Sequence, residues 1–413
     1  MYKLWVTHEL IYCLIDLNIY CNINKNRNLM KPIQLLSILF LCLFSCIEPK
    51  KENTNYLFLW QQAPGDTPVM FKLPPDSGMF VGERIAISND FKEIYYGDRD
   101  NYPAKISEIK ALRFIDGKWQ GPFHLFPDYG GPALSVDGKK LILGNKIAER
   151  VNEDWSSLKL FTKYPYGLHY LQETNSGTYY VSTEPITGGE GGFDWSKMIV
   201  NGNDTIFQSL GRPLNNSSNQ GDFYIAKDES YIISANDTES GRPMFISYFI
   251  NGRWTNPKSL GPKINKNQYN WGTYVSPDNK FLFFSTVTQS DYSDAGVFWV
   301  RIDNIIDSLK HTNYSPYVLN DIPDQVTSLD KKFTYSIPDS IFFDDDKNDL
   351  LIFSVEVVLG SKLIDSLEFD NQVISFEPVK TGNLKMRIIA SDEANESVYD
   401  EFDIVININE NEK

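Results

Sequence analysis

Short apolar runs separated by polar turn residues recur along most of the chain, and they predict β-strands rather than helices. One phrase recurs with them: a Ser, an Asp two residues later and then an apolar strand, as in 135–143 and 276–284. Weaker copies start at Ser88 and Ala226, and an eroded copy starts at Thr174. The period of roughly 40–50 residues, with strand and turn signals only, predicts the blades of a β-propeller.

Each copy of the phrase predicts an inner strand, a tight turn and a second strand. The turns of the two best copies contain Asp137-Gly138 and Asp278-Asn279, residue types that tolerate the positive φ of a tight hairpin. Because the Asp recurs from blade to blade, we interpret it as a turn-forming residue and not as a ligand-binding carboxylate.

The number of copies favours five blades. Strand-like segments at 56–60 and 69–73 precede the first copy, and we expect them to complete the last blade and close the ring. Six blades is the alternative, if that stretch forms a blade of its own. The propeller is predicted to span 56–311 and to end in a short helix at 302–310.

This part of the chain also resembles a known group of proteins. Segments 56–68 and 296–300 are similar to the opening and closing segments of the TolB-like β-propellers, whose WD40-like repeats carry a Ser-Pro-Asp-Gly phrase. Members of this group are often lipoproteins of Bacteroidetes-type bacteria. The resemblance covers about 56–310 and weakens at 174–177, where the third copy has lost the phrase. It implies a propeller fold and an envelope location but no defined reaction.

The N-terminal region resembles an export signal. Met30 opens a short positive start, and the apolar run at 33–44 is too short to span a bilayer but suits a signal-peptide core. The run leads into Leu-Phe-Ser-Cys at 43–46, which resembles the lipobox of bacterial lipoproteins. We therefore predict lipid attachment at Cys46.

This interpretation divides the N-terminal region into a signal region at 1–46, with Met30 as the true start, and a polar linker at 47–55. The alternative is that 4–20 forms a real apolar segment. Because Ile47 and not Asp follows the Cys, we expect an outer-membrane lipoprotein that faces the periplasm or the cell surface.

Charge and composition narrow the function further. The net charge of −15 argues against a nucleic-acid partner, which requires a clustered excess of Lys and Arg. No Cys follows Cys46, so disulfides and Cys-ligated zinc are excluded from the rest of the chain. Only His124, His169 and His311 lie beyond residue 46, which does not favour a metal triad made of His.

The loops after the second strands, at about 97–105, 144–156, 183–195, 236–242 and 286–295, are predicted to meet on one propeller face. Their carboxylates and aromatic rings suit sugars, because rings stack on C–H faces and carboxylates accept hydrogen bonds from hydroxyls. An ordinary set of solvated loops is the alternative. The candidate ligand-binding residues are Asp98, Asp100, Tyr102, Asp154, Trp155, Asp194, Asp237, Arg242, Asp291 and Tyr292.

The segment 312–413 has about seven short alternating strands and predicts an immunoglobulin-like β-sandwich. Its order of phrases resembles the dystroglycan-type cadherin-like domains of bacterial surface proteins. Such domains are similar to cadherin repeats, whose acidic loops often bind Ca²⁺, so Ca²⁺ is a possible cofactor. The alternative is a solvated acidic turn. The candidate ligands are Asp344, Asp345, Asp346, Asp349 and Asp392.

The sequence thus favours a lipid-anchored envelope protein with a non-catalytic binding or scaffolding role. Its expected partners are the membrane, through the lipid, and a glycan or an envelope protein on the propeller face. The alternative is an enzyme that acts on a polysaccharide through acidic residues of the propeller loops. The oligomeric state is not predicted.

Overall fold

A computed structural model describes residues 57–101, 103–162, 168–201, 204–218, 220–288, 294–329, 331–346 and 350–408. The predicted lipid attachment site at Cys46 and the linker at 47–55 lie outside these residues. Leu57–Lys413 forms one compact unit. No helix among the described residues has the length and apolarity needed to cross a membrane.

The chain opens with a hairpin and a short lone strand, followed by antiparallel sheets that each comprise consecutive strands. The opening strands are β1 (Leu57–Phe58), β2 (Gln61–Gln62) and β3 (Val69–Met70). The first sheet contains β4 (Phe80–Ile87), β5 (Glu93–Arg99), β6 (Ser107–Ile115) and β7 (Lys118–Pro127). The second contains β8 (Ala133–Leu134), β9 (Lys140–Leu143), β10 (Lys146–Val151), β11 (Asp154–Trp155) and β12 (Lys159–Leu160).

Three further sheets repeat this arrangement. The third contains β13 (Leu168–Glu173), β14 (Tyr179–Thr183), β15 (Asp194–Asn201) and β16 (Asp204–Ser209). The fourth contains β17 (Asp222–Ile225), β18 (Tyr231–Ala235), β19 (Met244–Ile250), β20 (Arg253–Trp254) and β21 (Lys258–Ser259). The fifth contains β22 (Tyr269–Val275), β23 (Phe281–Val287) and β24 (Gly296–Arg301), and it also takes in β3.

The first strands of these sheets are neighbours around a central channel. Strand β4 contacts β8, β8 contacts β13, β13 contacts β17 and β17 contacts β22. Strand β22 in turn contacts β4, which closes the ring. Apolar residues of adjacent sheets fill the space between them: for example, Phe71, Phe283 and Trp299 pack with Ile94 of the first sheet in one buried cluster. The all-β propeller fold predicted from the sequence is confirmed.

Ring closure joins the two ends of the propeller in three ways. Strand β3 pairs antiparallel with β24, so the predicted segment at 69–73 does complete the last sheet, whereas the segment at 56–60 contributes instead to the separate β1–β2 hairpin. The Tyr274 hydroxyl donates to the carbonyl of Ile87 and accepts from its N–H, both at 3.1 Å. The backbone of Gly272 lies against that of Glu83 and Arg84 in the first sheet.

The repeated Asp residues build turns, in agreement with their interpretation from sequence. In the second sheet the Ser135 hydroxyl donates to Asp137 at 2.7 Å, and the same carboxylate accepts the N–H of Lys139 at 3.0 Å. The pairs Ser88–Asp90 and Ser276–Asp278 make the same hydroxyl–carboxylate bond at 2.7 and 2.6 Å. Each turn therefore carries its own carboxylate cap.

The third sheet borrows its carboxylate from the fourth. Ser176 stands where the other turns have Asp. Glu229 reaches across from the next turn and accepts from the hydroxyls of Thr174, at 2.8 Å, Tyr180, at 2.6 Å, and Ser176. Burial pushes the pKa of Glu229 up, but the three hydroxyl donors outweigh it and the net pKa lies below the ordinary value.

The C-terminal part begins with helix α1 (Asp303–Lys310) and continues as a β-sandwich. A small pair contains β25 (Tyr317–Val318) and β28 (Phe342–Phe343). One sheet contains β26 (Gln325–Ser328), β29 (Ile352–Leu359), β32 (Gly382–Ser391) and β33 (Ser397–Asn407). The other contains β27 (Phe333–Ser336), β30 (Ile364–Asp370) and β31 (Val373–Pro378). Residues of both sheets, such as Phe376 and Phe402, share one buried core.

The contact at Gly272 predicts a substitution effect. Gly272 has φ +68°, and a Cβ there would lie 2.5 Å from the carbonyl carbon of Glu83. Gly138 has nearly the same φ, +69°, but open space around it. We expect Gly272→Ala to lower the free energy of unfolding by about 2–4 kcal/mol and Gly138→Ala by about 1 kcal/mol. Chemical denaturation of both variants checks this, and equal losses would contradict the steric role of the ring contact.

The borrowed carboxylate makes a second prediction. Replacing Glu229 by Gln removes the charge that three hydroxyls solvate, so we expect a loss of about 1–2 kcal/mol in the free energy of unfolding at pH 7. Because the folded pKa is depressed, this loss should shrink as the pH falls below about 4. Glu239→Gln, in an exposed loop, is the control. An E229Q protein as stable as the E239Q protein would disprove the role.

Candidate functional site

The predicted ligand carboxylate Asp98 is buried and already paired. It lies near the end of β5, where its Oδ2 atom is 2.6 Å from the Lys110 ammonium and accepts the Asp76 N–H at 3.0 Å. Lys110 itself has no exposed side-chain surface and also contacts Asp76 at 2.6 Å. Asp98 therefore holds a buried lysine and the segment that leads into β4.

Other predicted carboxylates organise the loops in which they lie. Asp100 accepts from the N–H groups of Lys105 and Ile106 at 2.9 and 3.0 Å. Asp237 forms a two-point ion pair with Arg242 at 2.8 and 2.9 Å. The described loop carboxylates are thus largely occupied with their own chain.

Asp194 has the same kind of role in the glycine-rich loop at 188–192. It is fully buried at the start of β15 and accepts the N–H of Glu190 at 3.2 Å. Glu190 pairs with Arg212 at 3.0 Å, and Arg212 also forms a two-point ion pair with Asp321 ahead of the sandwich. The loop therefore contributes to the junction with the C-terminal part.

The predicted position of Asp154 and Trp155 is wrong. Both were expected in a loop at 144–156 after the second strand, but this segment forms β10 and β11. Gly144, with φ +58°, lets the chain turn back at once after β9. Asp154 and Trp155 consequently lie at the hairpin of the outer strands, at the other end of the sheet. Tyr102, Asp291 and Tyr292 lie outside the described residues.

The predicted calcium ligands contact the backbone at the junction of propeller and sandwich. Asp345 accepts the N–H of Asn256 at 2.7 Å, and Asp346 accepts that of Tyr314 at 2.6 Å. Asp344 accepts the Asp346 N–H at 2.8 Å. Burial raises the pKa of Asp345. These carboxylates cap the junction, while Asp349 lies outside the described residues, and calcium binding stays a prediction.

Asp392 also faces the junction. It is buried, and it accepts from the Asn313 amide and from the Glu396 N–H, both at 2.8 Å. Its contact with Asn313 ties the loop after β32 to the residues that follow α1.

A cavity of about 380 Å³ opens at the opposite end of the channel from the predicted loops. Its walls are the first strands of the sheets, and its rim is the set of repeated turns. Its lining includes the cations Arg84 and Lys227, the carboxylate of Asp228, the amides of Gln172, Asn89, Asn175 and Asn279, the rings of Tyr224 and Tyr274, and apolar side chains such as Leu134 and Val275. The lining thus mixes apolar walls with a small number of charged and hydrogen-bonding groups, as is usual for a small-molecule site.

Arg84 places a buried positive charge at the inner part of this cavity. Only 2% of its surface is exposed. Its Nη1 and Nη2 atoms donate to the carbonyls of Tyr170 and Gly131 at 3.3 and 3.4 Å, and its Nε has no hydrogen-bond partner among the described residues. Its guanidinium also stands 5.5 Å from the centre of the Tyr170 ring. The protein thus keeps a guanidinium in the channel with long, weak hydrogen bonds.

Lys227 adds a second cation at the rim. It directly follows the repeat start Ala226, and its ammonium donates to the carbonyl of Glu173 at 3.0 Å. Burial lowers the pKa of Lys227 to about 8, against the opposing effect of the Glu173 carboxylate. Lys227 is therefore charged at neutral pH but close to losing its proton.

Asp222 places a buried carboxyl group near Arg84. It is fully buried, and it accepts hydrogen bonds from the Gly272 N–H and from the Thr273 hydroxyl at 3.5 Å. Burial, with the nearby charge of Glu83, raises the pKa of Asp222 to about 7, although Gly272 and Arg84 oppose the shift.

Sequence reasoning missed Arg84, Lys227 and Asp222. A signal exists once the copies are aligned: Arg84 and Asp222 each lie four residues ahead of a repeat start, in strands that are otherwise largely apolar. A charge at such a position must point to the channel or to a buried partner.

Comparisons with known proteins do not assign this chain to a family. No protein-family model matches the chain, and no curated protein does. Among solved structures, TolB from Acinetobacter baumannii is 13% identical with a TM-score of 0.32, over 52% of this chain and 53% of that one. A 6-phosphogluconolactonase-like protein from Bacteroides fragilis is 15% identical with a TM-score of 0.32, over 79% and 84%.

The extracellular domain of a hybrid two-component system from B. thetaiotaomicron is 11% identical with a TM-score of 0.33, and the match covers 82% of this chain and 46% of that one. None of these likenesses is close enough to carry a functional assignment.

The raised pKa of Asp222 predicts an effect on stability. In the folded protein its carboxyl holds a proton up to about pH 7, whereas in the unfolded chain it loses the proton near pH 3.8. The free energy of unfolding therefore falls as the pH rises from about 3.8 to about 7, because the folded protein opposes ionisation of this carboxyl group. From pH 5 to pH 8, we expect the free energy of unfolding of wild type to fall by about 1–3 kcal/mol relative to Asp222→Asn. Denaturant titrations at both pH values test this, with Asp228→Asn as control; parallel pH profiles would contradict it.

Proposed function

We propose that this protein is a non-catalytic binding protein of the cell envelope that takes an acidic glycan into the cavity between Arg84 and Lys227. The observation that carries the proposal is the pair of largely buried cations in a protein whose net charge is −15. A buried cation without a full set of partners is costly, and an anionic ligand would relieve that cost.

The uncharged residues of the cavity support a sugar that carries a carboxylate as the ligand. Asn175 and Asn279 offer amide donors and acceptors of the kind that bind hydroxyls, whereas the Gln172 amide already donates to the carbonyls of Tyr170 and Phe223 at 3.0 Å. Tyr224 and Tyr274 offer ring surface. At about 380 Å³ the cavity is at the lower end of small-molecule sites, which suits one or two carboxylated sugar units rather than a long chain.

An enzyme that acts on a polysaccharide was the alternative from sequence. Glycoside hydrolysis needs two carboxyl groups that are available to the substrate. Among the described loop residues, Asp98, Asp194 and Asp237 are engaged with Lys110, Glu190 and Arg242. These contacts favour binding over hydrolysis.

The envelope location rests on the sequence pattern. A lipid on Cys46 and the polar linker at 47–55 would tether the propeller to a membrane, with the outer membrane as the expected one. A tethered propeller can hold an envelope glycan without acting on it.

A glycan array tests the function. We expect the chain from residue 47 onward to bind glycans that carry carboxylates in preference to neutral ones. Lys227→Met should weaken that binding by about tenfold or more, because it removes a largely buried charge next to the ligand. Asp228→Asn, at the adjacent position, should bind at least as well as wild type. If K227M bound carboxylated glycans as tightly as wild type, the proposed site would be wrong. If wild type bound no glycan at all, a protein partner would be favoured.

The lowered pKa of Lys227 supplies a control for charge within the same experiment. Wild-type binding should weaken as the pH rises through about 8, since the ammonium then loses its proton. Lys227→Arg keeps its charge and should still bind at pH 9. A wild-type profile that stays flat from pH 7 to pH 9 would show that this ammonium does not contact the anion.

A further inference from the structure

One face of the first sheet carries a group of polar side chains apart from the cavity. Asp76, Glu108 and His124 each offer a ligand atom, and these atoms all lie within 4.8 Å of one another. Among the described residues this is the only such group of three His, Cys, Asp or Glu side chains. We propose that it binds a divalent transition-metal ion, Zn²⁺ or Mn²⁺, which fastens the ring-closing segment to the first sheet.

Strand register explains why Glu108 and His124 share a face. Lys110 is the cross-strand partner of His124, and Glu108 lies two residues before Lys110 on the same strand. Residues two apart in a strand point to the same side of the sheet. Accordingly the Nδ1 atom of His124 is 2.7 Å from Oε2 of Glu108.

The third ligand comes from a different part of the chain. Asp76 lies between β3, which completes the last sheet, and β4, which starts the first. The Tyr96 hydroxyl donates to the carbonyl of Pro74 at 2.8 Å, which holds this segment over the sheet face. The Asp76 N–H bonds to Asp98 at 3.0 Å and fixes its backbone. Three separate segments thus deliver three ligands to one point.

The charges around this point leave room for a cation. The carboxylates of Asp76, Glu108 and Asp98 carry three negative charges, and Lys110 supplies one positive charge. Lys110 contacts Oδ1 of Asp76 at 2.6 Å, and a carboxylate has a second oxygen with which it can bind a metal. Oδ1 of the buried Asp98, whose Oδ2 is paired with Lys110, has no hydrogen-bond partner in the described part of the chain, so the single ammonium serves three carboxylates.

The donor set indicates the class of ion. One imidazole nitrogen with two carboxylate oxygens suits Zn²⁺ or Mn²⁺, whereas Ca²⁺ and Mg²⁺ prefer oxygen ligands throughout. The side chains of His124 and Asp76 are about half exposed, at 53% and 47%. Water can therefore complete the coordination shell, and the ion can enter from solvent.

The consequence for the fold is a metal-dependent closure. An ion bound by Asp76, Glu108 and His124 would join the segment after β3 to β6 and β7. It would bind the closed ring and not the unfolded chain, and would therefore raise the melting temperature by an amount that grows with the logarithm of its concentration once that exceeds the dissociation constant.

Calorimetric titration of ZnCl₂ and MnCl₂ into the full chain, purified in detergent after EDTA treatment and without a His tag, tests the proposal. We expect wild type to bind one more ion per chain than His124→Ala or Glu108→Gln. Either substitution should weaken this site at least about tenfold, as expected for loss of a direct ligand. His311→Ala, which removes an exposed His at the end of α1, is the matched control and should bind like wild type. The N-terminal cysteines can also bind Zn²⁺, but they are present in all variants. The test therefore compares the number of bound ions and the affinities between variants.

Thermal unfolding separates a metal site from a simple His124–Glu108 ion pair. Zn²⁺ should raise the melting temperature of wild type and H311A but not of H124A or His124→Gln, which keeps a polar side chain. EDTA should remove the increase. The proposal would be overturned if H124Q and E108Q still bound the ion and if Zn²⁺ still raised their melting temperatures. A variant effect of equal size with EDTA and with Zn²⁺ would also overturn it, since that outcome assigns the group to an ion pair alone.

Discussion

The ring depends on one close approach of two backbones, where Gly272 of the last sheet lies against Glu83 and Arg84 of the first. No side chain fits between them, so the last sheet can approach the first only at a glycine. The two other closing contacts, β3 on β24 and Tyr274 on Ile87, both lie in the same two sheets. Arg84 starts from this contact and reaches carbonyls of the second and third sheets. The backbone contact that closes the ring therefore also fixes the position of the Arg84 guanidinium in the channel.

Much of the fold could be predicted because its determinants are local and repeated. The Ser-x-Asp turns depend on hydrogen bonds within five residues, and a repeat shows such bonds in several copies at once. The strand that completes the last sheet was also predictable, since 69–73 is a strand segment ahead of the first copy. The error at 144–156 has a local cause as well. Three of the six residues of Lys146–Val151 are charged and they do not alternate with apolar ones, so the segment resembles a loop, and the tight turn at Gly144 is the signal that a strand follows.

The candidate site was harder to predict, because its chemistry depends on register and not on spacing. Asp98 and Lys110 look like a loop acid and a strand lysine, and only the pairing of β5 with β6 brings them to 2.6 Å. The same limitation applies to Asp76, Glu108 and His124, which no sequence motif joins. Lys227 illustrates the converse case, since it lies in a repeated phrase whose regularity indicates a structural role. The same position of a repeat can have a purely structural role in the turn of most copies and contact a ligand in one copy.

The carboxylate that Glu229 lends to the turn of the third sheet bears on how such a ring can change over evolutionary time. Four turns are self-contained, and their sheets are in principle exchangeable modules. The third is not, because its loss of Asp at Ser176 is tolerated only while the fourth sheet carries Glu229. The two neighbouring sheets must therefore be inherited, duplicated or transplanted together, and a designer who recombines single blades of this propeller would have to treat them as one unit.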